Sequence, residues 1–295
     1  MNLNYLFFAI ETNAAFSFRL ANIGHLVSEI CKRHQLNAAR SMLLGDAILG
    51  CVLMSSLLDD EEALNIRIQC ESYFTIGVEC NFLGQVKGYI ECDESSELVR
   101  NLDSQLPWEE TLTVRSVRTQ KNRSNLFEGV TALKTNSIEK ALNDHLSSSY
   151  QMTTVLHFTN WTNSKNKNFS FGLILQELPN IQKELSNSLK LHLSMLPSIP
   201  ELYEELNGDP DLLSNKLILG SFKGLKSITP HFQCSCSTQK VIDAVGLLPI
   251  KEIQDILNKS QPIEVRCHYC NTNHSVNNSQ IEEIFLKQKE LSLLN

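Results

Sequence analysis

The sequence is short of cations. Its 295 residues carry 26 Lys and Arg against 33 Asp and Glu, a net charge of -7 with a pI near 5.7. A surface poor in Lys and Arg cannot neutralise a phosphate backbone, which argues against nucleic acid as a partner. No Gly-rich loop of the Walker type is present, so no ATP site is expected. The N-terminus, Met1 to Asn13, is briefly apolar but has no Lys or Arg ahead of the apolar stretch and no small-residue cleavage pattern after it. It reads as a strand and not as a signal peptide. A clean membrane span is also missing. The nearest approach, Ser41 to Leu58, has Asp46 inside it and Asp59, Asp60, Glu61 and Glu62 directly after it, which marks a buried core helix. A cytoplasmic protein with no membrane partner is expected.

What is there is ordinary at the level of composition. Hydrophobic residues make up 42% and charged residues 20%, which excludes wholesale disorder, collagen and coiled coil. The length suits one large domain or two unequal ones, and a chain this long builds a core without disulfides. Nine cysteines is an odd count for a disulfide framework. Cys31, Cys51, Cys70, Cys80 and Cys92 are scattered singly through strand- and helix-like text and read as buried small hydrophobes. The other four stand in two tight pairs near the C-terminus.

Periodicity divides the chain. Asn22 to Leu58 reads as two helices, the second capped by Asn37. The period then drops to two through Leu64–Cys70, Tyr73–Cys80 and Val86–Cys92, an antiparallel meander with one face buried. TLTVRSVR, a helix from Ser137 to about Ser148, TTVLHFT and FSFGLILQ complete a mixed block ending near Leu178. Prolines 179, 197, 200 and 210 then punctuate short helical pieces, with Ile181, Leu185, Leu189, Leu193 and Leu196 forming one apolar stripe. This segment is either a helical subdomain packed on the sheet or a linker able to detach its apolar face. Beyond it lie the helix PIKEIQDILN with Pro249 in its first turn, a short strand IEVRC and a closing helix NSQIEEIFLKQ. The expected fold is α+β: an N-terminal mixed block at 1–178 with an antiparallel sheet, a helical linker at 179–229 and a small domain at 230–289 that carries the paired cysteines.

Cys234 and Cys236 form C-x-C; Cys267 and Cys270 form C-x-x-C, with 30 residues between the pairs. Two knuckles that each bring two sulfurs to one point suit tetrahedral zinc, and four thiolates leave no open position for catalysis. About sixty residues with few aromatics make a poor core, so the metal would supply the missing folding energy. Nucleic-acid ribbons share this ligand set, but Pro230 to Asn295 holds six Lys or Arg against seven acids. His231, His268 and His274 lie nearby as bystanders. No catalytic residue is expected.

The stretch FQCSCSTQKVIDAVGLLPIKEIQDILNKSQPIEVRCHYCN, Phe232 to Asn271, resembles the C-terminal zinc domain of the redox-regulated heat-shock chaperones of thirty-three kilodaltons, the heat shock protein 33 family. RLANIGHLVSEICKRHQLNAARSMLLGDAILGCVLMSSLL, LNIRIQ and VKGYIECDE are similar to the family's substrate-binding domain, and GLILQELP to its hand-over to the linker. The resemblance implies zinc on Cys234, Cys236, Cys267 and Cys270 in the reduced state. On oxidation it implies disulfides Cys234–Cys236 and Cys267–Cys270, zinc release, and an ATP-independent holdase that binds unfolding client proteins. It also implies a reduced monomer and an oxidised homodimer. The family follows its C-x-x-C pair with aromatic-x-aromatic, where this chain has His274 and Val276; Cys70, Glu71 and Ser72 replace a Gly-rich turn. The alternative reading is a binding protein of the same fold with a purely structural zinc, constitutive or dedicated to one partner.

Overall fold

The computed structural model describes residues 4–11, 16–59, 61–70, 73–92, 110–120, 123–151, 153–162, 168–178, 192, 195, 198–217 and 221–293. Two compact units divide the chain, Met1–Gln233 and Cys234–Asn295. The architecture is mixed α+β with antiparallel sheets.

The first unit has two sheets. One runs β10-β1-β2-β9-β8, built from β1 (Tyr5–Glu11), β2 (Phe16–Asn22), β8 (Thr154–Thr162), β9 (Asn168–Glu177) and β10 (Phe222–Ile228). The other runs β11-β5-β4-β3-β6-β7, built from β3 (Glu62–Cys70), β4 (Phe74–Asn81), β5 (Gln85–Cys92), β6 (Glu110–Gln120), β7 (Arg123–Thr135) and the two-residue β11 (His231–Phe232). Every pairing is antiparallel except β11 on β5. The meander expected from the period-two text is present as β3, β4 and β5.

Helix α1 (Gly24–Arg33) and helix α2 (Ala38–Ser55) are as the sequence predicts, and Asn37 caps α2 by accepting a hydrogen bond from the Arg40 amide at 2.9 Å. Alone among the described helices, α2 has the length and mean hydropathy to cross a membrane, yet two thirds of it is buried inside this unit. It packs against β3, β4 and β5 of one sheet and β2, β8 and β9 of the other, so it is the core element that joins them. A continuous run from Leu43 to Ser55, Asp46 excepted, is buried. Cys31, Cys51, Cys70 and Cys80 are buried in this core and Cys92 is half-buried. Helix α3 (Ile138–Ser149), capped by Ser137, lies on β6 and β7 and also meets α2 and β8.

The far face of the first sheet has its own core. Phe16, Phe18, Leu20, Phe169, Phe171, Leu173 and Leu175 are covered by Ile199, Leu202 and Tyr203 of α4 (Ile199–Glu205) and Leu213 and Leu217 of α5 (Pro210–Leu217). Asn22 Nδ2 donates to the Tyr203 hydroxyl at 2.7 Å, and the Tyr5 hydroxyl to Gly208 O at 3.1 Å. Residues 198–217 are thus folded against the sheet, and β10 extends it by pairing with β1. The stripe positions Ile181, Leu185, Leu189, Leu193 and Leu196 lie outside the described residues.

The second unit holds α6 (Thr238–Val245), α7 (Ile250–Lys259), the hairpin β12 (Ile263–Arg266) and β13 (Asn273–Val276), and α8 (Asn278–Leu293). Pro249 stands at the N-cap of α7, one position ahead of the first turn. Its buried core is Val245, Ile253, Val276, Ile281 and Ile284. Gln288 Nε2 donates to the carbonyls of Gly246 and Leu248 at 2.6 and 3.0 Å, tying α8 to the turn after α6.

Candidate metal centre

The first cysteine pair lies directly before a helix and the second in a hairpin turn. Cys236 directly precedes Ser237, whose hydroxyl caps α6 by accepting from the Lys240 amide at 3.2 Å. The Lys240 ammonium reaches back to Ser235 Oγ at 3.0 Å, so a cation stands beside the first knuckle. The second knuckle is the turn between β12 and β13. The Cys267 amide donates to Thr272 O at 2.9 Å and the Asn271 amide to Cys267 O at 2.8 Å. Closing that turn takes a φ of 61° at Asn271, a left-handed conformation that Asn tolerates better than most residues.

The structure brings all four predicted sulfurs together: every pair of Sγ atoms among Cys234, Cys236, Cys267 and Cys270 lies within 4.8 Å. Two close contacts run between the knuckles, Cys234 to Cys267 at 3.8 Å and Cys236 to Cys270 at 3.2 Å. Four thiolates around zinc at 2.3 Å have sulfurs about 3.8 Å apart, so the cluster has the span and the donor chemistry for one tetrahedral ion. These four clustered cysteines can hold a metal ion.

The surroundings favour negative sulfur at Cys270 and disfavour it at Cys234 and Cys236. The Thr272 hydroxyl lies 3.2 Å from Cys270 Sγ. Burial pushes the Cys270 thiol up, but hydrogen bonds from the Thr272 side chain and backbone, and from Cys236 and Cys267, outweigh it and bring it down to about 7. Burial pushes Cys234 and Cys236 up; for Cys236 the neighbouring sulfurs add to the rise. A cation in the cluster would stabilise the thiolate form against that burial.

Of the three histidines that the sequence places nearby, His274 stands directly against the cluster. His274 Nε2 lies 3.2 Å from Cys236 Sγ and its Nδ1 3.3 Å from Thr238 Oγ1. With Thr238 donating to Nδ1, the Nε2 proton is aimed at the sulfur, which makes His274 a hydrogen-bond donor around the ligand set. Thirty-eight residues separate His274 from Cys236, and only the β12–β13 hairpin closes that gap. Val276, two residues on, is fully buried in the small core.

Comparison with known proteins bears on the whole chain. A family model described as Hsp33 protein matches residues 4–277. The 33 kDa chaperonin of Lactiplantibacillus plantarum is 25% identical over 292 residues, covering 97% of this chain and 98% of that protein. The 33 kDa chaperonin of Geobacillus kaustophilus is 26% identical over 290 residues, with 95% and 97% covered. The crystal structure of the 33 kDa chaperonin, a heat shock protein 33 homolog, from Thermotoga maritima superposes with a TM-score of 0.79 at 20% identity, covering 97% of this chain and 99% of that one.

Proposed function

Because the chain belongs to the Hsp33 family of chaperones, we propose that it is a redox-regulated, ATP-independent holdase of the cytoplasm, binding unfolding client proteins under oxidative and heat stress. The observation that carries this reading is the convergence of four thiols, from two segments 30 residues apart, on one point of a unit with a very small core. Zinc is the metal we assign, with Cys234, Cys236, Cys267 and Cys270 as its ligands; when bound, it supplies the positive charge that keeps the sulfurs as thiolates.

The chain's own residues then do three things. Thr272 and His274 would donate to the sulfurs and hold them in place, and the Ser237 cap fixes the helix start directly after Cys236. The thiolates are the oxidant-sensitive groups. Cys234 with Cys236, and Cys267 with Cys270, would each give two electrons to one peroxide, which takes two protons from solvent and leaves as two waters while one S–S bond forms. The small unit, deprived of the bonds that hold its two knuckles together, loses order. Residues 179–229 are the element we expect to follow. Release of α4 and α5 would uncover Phe16, Phe18 and Phe171 on the sheet together with Leu202, Tyr203 and Leu213 on the helices, an apolar surface of the kind that binds unfolded chains. No nucleic acid, membrane or nucleotide is part of the scheme.

The test is a titration of the reduced, zinc-loaded protein with peroxide at heat-shock temperature, following zinc release, thiol loss and a hydrophobic-surface dye together. The expected result is one zinc lost per four thiols, dye binding rising in step, and suppression of client aggregation appearing only afterwards. Zinc that stays bound while the dye stays dark would overturn the switch and leave a structural zinc on a partner-binding protein. Mass-spectrometric mapping of the oxidised protein checks the two disulfides.

A further inference from the structure

One hydrogen bond orients the His274 ring, and it can run in either direction. Nδ1 lies 3.3 Å from Thr238 Oγ1, and a hydroxyl both donates and accepts. With the hydroxyl donating, the ring proton sits on Nε2 and points at Cys236 Sγ, 3.2 Å away. With the hydroxyl accepting, the proton sits on Nδ1 and Nε2 offers a lone pair in the same direction. The second arrangement is that of a metal-binding histidine, whose other ring nitrogen donates to a fixed oxygen. Both ends of the bond are anchored within the second unit. Thr238 is the first residue of α6, directly after the Ser237 cap, and His274 is the second residue of β13, paired with Val265 of β12. The ring is half-buried, whereas His268, the other histidine of this unit, is exposed in the knuckle turn.

We propose that His274 is a reserve metal ligand: when Cys236 is lost as a thiolate, Nε2 takes its place, and the ion stays in the cluster on Cys234, Cys267, Cys270 and His274. This rests on the assignment of zinc to the four cysteines and goes beyond it. Three cysteines with one histidine form a closed zinc site of a common kind, with sulfur at about 2.3 Å and imidazole nitrogen at about 2.0 Å from the ion. Nε2 is 3.2 Å from the place that the Cys236 sulfur would vacate, a distance within reach of side-chain torsions. The consequence falls on the first step of oxidation. As the Cys236 thiolate attacks peroxide, an S–O bond forms and the O–O bond breaks. Two electrons pass from sulfur to oxygen, and the hydroxide released takes a proton from solvent and leaves as water. A sulfenic acid at Cys236 then does not empty the cluster. Only when the Cys234 sulfur displaces hydroxide from it, closing the S–S bond, is a second ligand withdrawn that His274 cannot replace.

Zinc titration of the full, reduced chain against a competing chelator tests it. Cys236→Ala is expected to keep one zinc per chain. Adding His274→Ala to that variant should weaken binding by about a hundredfold or more, against no more than about tenfold for His274→Ala alone. Cys236→Ser, closer in shape, repeats the comparison should the alanine variant fold poorly. Nitrogen-15 resonances of the histidine rings give a second readout. In the zinc-loaded wild type His274 Nε2 should carry its proton, and in zinc-loaded Cys236→Ala the proton should sit on Nδ1 with Nε2 on the metal. Loss of zinc from both Cys236 variants would overturn the proposal. So would a His274→Ala change that costs them no more than it costs the wild type, or an Nε2 that keeps its proton in Cys236→Ala. A wild type that binds no zinc would overturn the metal assignment itself, and this proposal with it.

Discussion

His145 is the most constrained polar side chain outside the cysteine cluster. It is fully buried, with Nε2 2.7 Å from Ser116 Oγ and Nδ1 2.9 Å from Thr131 Oγ1. Burial lowers it from 6.5 to about 4. The unfolded chain therefore takes up this proton first as pH falls, and the stability the neutral ring contributes is intact above 6.5 and drains away towards 4, by at most about 3 kcal/mol. Asp46 on α2 has the opposite sign. Burial raises its carboxyl to about 7, against the opposing hydrogen bond from Asn160 at 2.5 Å. The folded chain holds that proton first, so Asp46 contributes stability at low pH that fades as pH rises towards 7. The two largely offset one another between 4 and 6.5. Relative to wild type, His145→Gln should therefore gain urea resistance on going from pH 7.5 to pH 5 and Asp46→Asn should lose it; parallel behaviour in both variants would refute the assignment. The sequence marks Asp46 as a charge inside an apolar helix but not its partner, and His145 not at all, because both acquire their partners from far along the chain. The four clustered cysteines are the opposite case. Their spacing alone brings them to one point, whereas His274 needed the hairpin to be seen beside them.

At the scale of elements, what was legible is what has one wet face. β3, β4 and β5 alternate because one side meets α2 and the other does not, and Asn37 and Ser137 mark helix starts through their short acceptor side chains. β2 hides for the converse reason: sandwiched between two cores, it is buried at six of its seven positions and shows no period. β10 hides because nearly all of it is exposed, and only its pairing with β1 makes it a strand. The leucines after Ser198 were legible as amphipathic helix, but not that α4 and α5 lie on the phenylalanines of the sheet. The closure of β8 by α3, where Asn143 accepts from the Leu156 amide at 2.9 Å and donates to Leu156 O at 2.7 Å, is equally invisible locally. Asn143→Ala should leave the Leu156 amide and carbonyl without their partner and lower stability by about 2 kcal/mol. Chemical denaturation measures this, and hydrogen exchange should accelerate at Leu156 ahead of the central strand β9.

At the scale of the whole molecule, the two units are unequally equipped to stand alone. Met1–Gln233 has two cores built on two sheets, whereas Cys234–Asn295 has five buried apolar side chains and a cysteine cluster. Chelation should therefore unfold the second unit without the first. Both tryptophans, Trp108 and Trp161, belong to the first unit, so their emission should stay constant while far-ultraviolet dichroism loses the signal of α6, α7 and α8. A simultaneous loss of both signals would show one cooperative body instead of two.

The last strand of the first unit ends just before the first cysteine of the cluster. The His231 amide is bonded to Gly84 O at 2.9 Å and the Gln233 amide to Val86 O at 3.0 Å, and the next residue is Cys234. With so few hydrogen bonds to β5 to break, β11 behaves like a shear pin: it is the part of that sheet made to give way first.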